Sequence, residues 1–281
     1  MNAVHLSSQI REKQGLNEII PDEIELTEEE TEEILTKARR QKAVKFRERQ
    51  YWDKVSTPPV YKKIDKIEMW KYIRNRAVDI VPDFKSDDEN KQVMGLLNLY
   101  FSEDPAFVEK AKEYTDTLLG AHNLKFSLSK GILLFGPVGC GKTTLMRLFS
   151  VNPNSSFSVV SSRKVAADFA KKEGGESLIE ELYCGTVPVY AHNYFGQTEI
   201  GICFDDLGTE QNKAHFANKL NVMEYVLLNR YDNHHLKGKT HVTTNLTIDQ
   251  ITEEYGERVK SRAMEMFNFI LFNEFAEDRR R

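Results

Sequence analysis

The sequence predicts an α/β protein built on a parallel β-sheet, and three observations support this class. From about residue 105 onward, short apolar stretches of strand length alternate with longer stretches of helical periodicity. One apolar stretch, 131–135, is followed at once by a glycine-rich turn and a helical run. Another, 200–204, ends in two aspartates. Because the carboxyl ends of parallel strands meet at one edge of a sheet, the turn and the aspartates are expected to lie together.

A long helix is predicted near the N-terminus, after a loose arm over residues 1–24. Thr27 opens a capping box, glutamates fill the first turns, and basic residues follow as far as Arg49. Pro58 ends the helix. The apolar stripe is thin, so the basic run is either a solvated face or a docking surface for a partner or nucleic acid.

Two shorter helices are predicted next, over 64–77 and 88–101, because apolar residues recur there at helical spacing. The pattern changes to strand–helix alternation near Pro105. The sequence therefore predicts a mostly helical N-terminal domain over 1–103, which would bind a partner, and an α/β domain over 104–281.

Five strands are predicted in the second domain, with helices between them. The strands are expected near 131–135, 156–161, 200–205, 239–243 and 268–273. The helices are expected at 143–149, at 163–183 with a break at Gly174-Gly175, at 213–230, and in two short pieces after Thr247 and near Glu257.

Composition narrows the range of functions. The net charge is -4 and the sequence pI is about 6.0, so no global positive field attracts nucleic acid. The three cysteines lack metal-ligand spacing, and residues 1–103 contain none, which argues against a cysteine-based zinc module there. The N-terminus lacks the apolar core of a signal peptide, and no apolar run approaches membrane-spanning length. A cytoplasmic protein is expected, with no membrane partner.

A phosphate-binding loop is predicted over 136–143, which fits the P-loop pattern G-x-x-x-x-G-K-[ST]. Glycines allow the backbone to approach phosphate oxygens, and the start of the following helix adds N–H donors. Lys142 is expected to reach the β- and γ-phosphates of a nucleotide, and Thr143 to ligate Mg²⁺. The residues expected to contact the nucleotide are Gly136, Pro137, Val138, Gly139, Cys140, Gly141, Lys142, Thr143 and Thr144.

An acidic pair follows the third predicted strand. Asp205 is expected to hold the magnesium shell, as Walker-B acids do, and Asp206 to orient and deprotonate the attacking water. Taken alone, acids at the end of a strand are more typical of a turn. The P-loop upstream favours the catalytic interpretation.

Two further features complete the predicted site. Asn245 follows the fourth strand and is not needed as a helix cap, because Thr247 opens its own capping box. It is therefore either a ligand for the γ-phosphate or attacking water, or a turn residue. An arginine near the end of the chain could stabilise transition-state charge in a neighbouring subunit, and Arg258, Arg262 and Arg230 are the candidates.

In order and spacing, these motifs resemble the DnaC/DnaI/IstB group of AAA+ ATPases over about residues 105–281. The resemblance implies an AAA+ core with a five-stranded parallel sheet, and no helical lid in the short chain after Arg262. It implies that Lys142, Thr143, Asp205 and Asp206 serve ATP and Mg²⁺, with Asn245 as sensor 1 and Arg262 as the arginine finger. The segments that carry the resemblance are 136–143, 204–208, 229–231, 243–246, 256–258 and 261–262.

The resemblance implies a DNA-replication helicase loader. Its N-terminal domain would bind a hexameric replicative helicase, and its core would bind single-stranded DNA and assemble as an ATP-dependent homo-oligomer. Some members carry glutamate where Asp206 stands, so the shorter acid implies slow hydrolysis, completed between subunits. The basic residues expected to contact single-stranded DNA, with a solvated helix as the alternative, are Arg163, Lys164, Lys171 and Lys172.

Other functions remain open at this stage. The main alternative is a transposition helper ATPase of the IstB type that acts on duplex DNA. A nucleotide-dependent scaffold with little turnover is a third. A small-molecule kinase fits least, because the acidic pair, Asn245 and the late arginine suit hydrolysis between subunits better than transfer to a metabolite.

Overall fold

The computed structural model describes most of the chain from residue 27 onward. The chain divides into two compact units, Met1–Thr57 and Pro58–Arg281. The predicted arm over 1–24 lies outside the described residues. No described helix is both long and apolar enough to cross a membrane. Further positions that are not described are 57–61, 82–87, 120–123, 172, 191–192, 211–213, 216–217, 220, 274–275, 277 and 279–281.

In the first unit the described chain is a single helix, α1 (Glu28–Ser56). The predicted capping box is present: the Glu30 amide donates to the Thr27 hydroxyl at 3.2 Å, and the Thr27 amide donates to the Glu30 carboxylate at 2.9 Å. Side chains from Thr27 to Arg47 are all exposed.

The second unit is a parallel sheet with helices on both faces, as the sequence predicts. Its helices are α2 (Lys66–Ile80), α3 (Asp88–Phe101), α4 (Ala106–Leu119), α5 (Lys142–Phe149), α6 (Ser162–Phe169), α7 (Glu176–Tyr183), α8 (Val222–Asp232) and α9 (Ile248–Met266). Its strands are β1 (Gly131–Phe135), β2 (Phe157–Ser161), β3 (Val187–Pro188), β4 (Glu199–Leu207), β5 (Ala214–His215), β6 (Asn218–Lys219), β7 (Thr240–Thr244) and β8 (Phe267–Leu271).

The strand order is β2-β4-β7-β1-β8, and all four pairings along this path are parallel. Strand β3 adds an antiparallel edge to β4. The order separates the P-loop strand β1 from the acidic strand β4 by one strand, β7. The carboxyl ends of β1, β7 and β4 therefore lie side by side at one edge of the sheet.

Each face of the sheet buries its own hydrophobic cluster, because successive strand side chains point to opposite faces. Ile132 and Leu134 of β1 face the cluster that includes α5, whereas Leu133 faces the cluster that includes α8 and α9. Fully buried phenylalanines fill the first cluster, and the Phe101 ring stacks against those of Phe149 and Phe157.

The predicted domain boundary at 103/104 falls inside the second compact unit. Met69 and Ile73 of α2 and Leu97 of α3 are fully buried in the same cluster as the β1 side chains. Asn154, which precedes β2, also exchanges two hydrogen bonds with the Ile64 backbone, at 2.9 Å each. The helical periodicity predicted the helices, but it could not show that their apolar faces cover the sheet.

One predicted helix is wrong at its start. The helix expected over 213–230 begins only at Val222, where the Asn221 side chain caps it by accepting the Glu224 amide at 3.1 Å. Strands β5 and β6 pair as a short antiparallel ribbon before it. The break expected at Gly174-Gly175 is present between α6 and α7.

Acid is expected to destabilise the fold through His241 in β7. Its Nδ1 accepts the Ile132 amide at 3.1 Å, and complete burial, aided by the charge of Arg230, lowers the pKa of His241 to about 3. The unfolded chain takes up this proton near pH 6.5, so stability is full above that pH and falls as the pH decreases. From pH 7 to pH 5 the free energy of unfolding is expected to fall by about 2 kcal/mol, measured by urea titration.

Two variants isolate this contribution. His241→Gln is expected to abolish most of the difference between the two pH values, whereas His235→Gln, at an exposed position, is expected to retain it. Equal stability of the wild-type chain at pH 7 and pH 5 would contradict the prediction.

Candidate nucleotide-binding site

The P-loop joins β1 to α5 through backbone conformations that favour glycine. Gly136, Gly139 and Gly141 have φ of 155°, 84° and 99°. A Cβ at Gly136 would also lie 2.7 Å from the Cβ of Phe272, so the loop passes too close to the chain after β8 for any side chain. The sequence pattern therefore reflects real backbone constraints at this turn.

The Lys142 ammonium lies within the loop. It donates to the carbonyls of Gly136 and Pro137, at 2.8 and 2.7 Å, and to the Asn245 side-chain oxygen at 2.7 Å. The residue is only 4% exposed, and this burial lowers its pKa against the opposing effect of Cys140 and the nearby aspartates. Phosphate oxygens are stronger acceptors for this cation than carbonyls are. Lys142 is thus held where it can bind phosphate.

The two predicted magnesium ligands are adjacent. The Thr143 hydroxyl donates to Oδ1 of Asp205 at 2.8 Å, and Asp205 is 6% exposed. Among the described residues, no three or more histidines, cysteines and acids are grouped to hold a metal. The donor set nevertheless fits Mg²⁺, which in nucleotide sites takes one or two protein oxygens together with phosphate oxygens and water.

Thr243 of β7 joins the two acids, and sequence reasoning did not identify this role. Its hydroxyl donates to Oδ1 of Asp205 at 2.6 Å and accepts the Asp206 amide at 2.9 Å. Asp206 itself has φ of 57°, a left-handed backbone conformation that is uncommon for residues other than glycine. The sequence signal that could have pointed to this role is a hydroxyl side chain near the end of β7, two residues before Asn245.

Asn245 follows β7 directly, and the strand order brings it between the P-loop and the acidic pair. Its side-chain oxygen accepts from Lys142, so it belongs to the site. Four sequence-predicted residues therefore meet at the carboxyl edge of β1, β7 and β4: Lys142, Thr143, Asp205 and Asn245.

Arg230 has a structural role, and the prediction that it could serve as an arginine finger is wrong. It is fully buried and donates to the carbonyls of Tyr183, Gly185 and Lys239 at 2.9, 2.6 and 3.1 Å. Its Nε also donates to the Thr240 hydroxyl at 2.9 Å. Burial lowers its pKa to about 10, so it stays charged at neutral pH. A side chain with these bonds cannot reach another subunit.

Arg262 lies at the other end of the sheet from the P-loop. It lies four residues before the end of α9, and β8 follows that helix directly. The first residue of β8, Phe267, pairs with Gly131 at the start of β1. Its guanidinium lies 4.4 Å from the centre of the Tyr231 ring. The structure does not bring Arg262 to Lys142 within one chain, and Arg258 is exposed on the same helix.

The predicted DNA-binding lysines are engaged with a buried acid. Lys164 and Lys171 bind the two carboxylate oxygens of Asp168, at 2.6 and 2.5 Å, although both lysine side chains remain about 60% exposed. Burial opposes ionisation of Asp168, but the hydrogen bonds from both lysines and Tyr183 outweigh it and lower its pKa to about 2. Lys172 lies outside the described residues.

Comparisons with known proteins identify no family. No protein-family model matches the chain, and no curated protein matches it. Among solved structures, the chain is similar to a crystal structure from Streptococcus pyogenes serotype M3 that is provisionally described as a primosome component. The identity is 13%, the TM-score is 0.42, and the match covers 72% of this chain and 94% of that one. Similarity at this level does not establish a function.

Proposed function

We propose that this protein is an ATPase that loads a replicative helicase onto single-stranded DNA. The observation that carries the ATPase assignment is the convergence of Lys142, Thr143, Asp205 and Asn245 at one edge of the sheet, through hydrogen bonds of 2.7 and 2.8 Å. These side chains are far apart in sequence. A chance P-loop pattern would not be expected to gather a carboxylate and an amide around its lysine and threonine.

Each residue has a role in the proposed hydrolysis. Lys142 and the loop amides bind the β- and γ-phosphates, and Thr143 and Asp205 hold Mg²⁺, which when bound neutralises phosphate charge. Asp206 orients the attacking water and accepts its proton, and Asn245 holds the γ-phosphate or that water. Arg262 acts on the site of a neighbouring subunit, in keeping with its position away from Lys142 of its own chain.

Support for a protein partner comes from α1. Its apolar side chains Ile34, Leu35, Val44 and Phe46 are 51%, 48%, 51% and 61% exposed. Leu35 and Phe46 lie eleven residues apart and therefore on the same face of the helix, where exposed apolar side chains can bind another protein. The motif resemblance to helicase loaders suggests which partner this is, and the exposed Arg163 near Lys164 and Lys171 suggests the DNA contact.

A pull-down from native lysate tests the proposal. With ATP and Mg²⁺, tagged full-length protein is expected to capture a hexameric replicative helicase, and Leu35→Asp/Phe46→Asp is expected to reduce recovery at least about tenfold, because each charge would be desolvated at the interface. Val78→Asp is the matched control, since Val78 is an exposed apolar residue of α2.

The identity of the captured protein decides between functions. A helicase lost in the double variant and retained in the control supports the loader. A transposase, or duplex DNA without a protein partner, would favour the transposition helper instead. Equal helicase recovery by the wild type, the double variant and the control would show that these α1 side chains do not bind the helicase.

A further inference from the structure

The turn after β4 is tied to α9 through a carboxylate that has no role in the site described above. Glu210 lies four residues after Asp206, and its Oε2 accepts the Gly208 amide at 2.9 Å. Its Oε1 accepts the hydroxyl of Tyr255, which is 3% exposed. One oxygen therefore holds the turn and the other holds the helix. Burial raises the pKa of Glu210.

The turn held in this way begins directly after Asp206 and Leu207, the last two residues of β4. The Thr209 amide and hydroxyl both donate to the Asp206 carbonyl, at 3.1 and 2.7 Å. Gly208 has φ of 93°, and a Cβ there would lie 2.5 Å from Leu246, the residue after Asn245. The turn thus packs against the end of β7 on one side and bonds to α9 on the other.

Tyr255, which joins Glu210 to α9, lies beside a break in that helix. Gly256 has φ of 82° and ψ of 165°, so α9 is two helical pieces joined immediately after Tyr255. The second piece carries Arg258 and Arg262. Tyr255 therefore connects the turn that follows Asp206 to the end of the first piece, directly before the kink at Gly256.

We propose that Glu210 and Tyr255 are positioning residues for ATP hydrolysis, which hold the turn that follows Asp206 against α9 at its break. The inference rests on the proposed ATPase activity and names a pair that acts through Asp206 and not on the nucleotide. A displacement of a catalytic group by about 1 Å can cost about 100-fold in rate. Loss of the pair therefore lowers turnover while the P-loop still binds ATP.

Single-turnover hydrolysis and equilibrium binding of ATP with Mg²⁺ test the pair in the full chain. Glu210→Ala is expected to lower the hydrolysis rate about 30-fold and Tyr255→Phe about fivefold, with the ATP dissociation constant changed less than about twofold in each. The double variant is expected to be no slower than Glu210→Ala alone, because both changes break one link. Glu254→Ala, which removes an exposed carboxylate beside Tyr255, is the control and is expected to match the wild type.

Glu210→Gln separates positioning from acid–base catalysis. Its amide oxygen can accept the Gly208 amide and its NH₂ group can donate to the Tyr255 hydroxyl oxygen, so at least about half of the wild-type rate is expected. A general base would lose its activity in Glu210→Gln as fully as in Glu210→Ala, and that result would overturn the proposal. If Glu210→Ala fails to fold, Tyr255→Phe decides, because it removes a single hydroxyl.

The test distinguishes this inference from the proposed function. A wild-type chain without Lys142-dependent ATP hydrolysis would refute the ATPase assignment itself. An active wild type with equally active Glu210→Ala and Tyr255→Phe variants would overturn the pair alone. ATP binding weakened as much as hydrolysis would also overturn it, since that pattern indicates loss of the binding site.

Discussion

The Lys142→Ala variant is expected to bind ATP at least about 100-fold more weakly than the wild type, which corresponds to about 3 kcal/mol. The ammonium is held inside the loop by Gly136, Pro137 and Asn245, and it supplies the charge-assisted bonds to phosphate that alanine cannot make. Titration of a fluorescent ATP analogue in the presence of Mg²⁺ measures the change.

A control on the same helix separates this effect from general charge. Arg147 is an exposed cation of α5, and Arg147→Ala is expected to change the affinity less than about twofold, because exposed charges contribute little. Lys142→Ala also leaves the Gly136 and Pro137 carbonyls and the Asn245 oxygen without this donor, so a melting curve recorded without nucleotide checks that the variant is folded. Unchanged ATP affinity would contradict the assignment of the P-loop.

Arg230→Ala is expected to lower the free energy of unfolding by about 3 kcal/mol or more. Three backbone carbonyls, those of Tyr183, Gly185 and Lys239, would lose a charged donor inside the protein, and a cavity would replace the side chain. For a unit of this size the melting temperature is expected to fall by about 6 to 12 °C. Urea titration followed by circular dichroism measures the loss.

Two further arginine variants make this prediction specific. Arg230→Lys is expected to recover only part of the stability, because an ammonium cannot reproduce the planar donors of a guanidinium. Arg258→Ala, at an exposed position of α9, is expected to change stability by less than about 0.5 kcal/mol. An Arg230→Ala protein as stable as the wild type would show that water satisfies these carbonyls.

The P-loop and the acidic strand could be predicted closely because their information is local. Gly136, Gly139 and Gly141 are required by backbone angles within one turn, and Asp205 and Asp206 end an apolar strand that is visible in the sequence. The five parallel strands followed from the same kind of local pattern. The catalytic roles of these residues remain predictions.

Long-range neighbours could not be predicted in the same way. Arg230 and Arg262 both lie near the end of a helix, yet the first is fully buried and the second is partly exposed. Periodicity gives each helix an apolar face but does not say which surface covers it. For the same reason the boundary predicted at 103/104 did not anticipate that α2 and α3 pack into the first cluster.

The sequence by itself therefore determined the phosphate loop, the acidic pair and the α/β class, because each depends on residues that are close together in the chain. Only the tertiary structure decided that β7 lies between β1 and β4, which brings Asn245 to Lys142 and Thr243 to Asp205. It also decided that Glu210 bonds to Tyr255. The physical reason is that strand order and helix packing are set by burial of whole apolar faces, which no short stretch of sequence specifies.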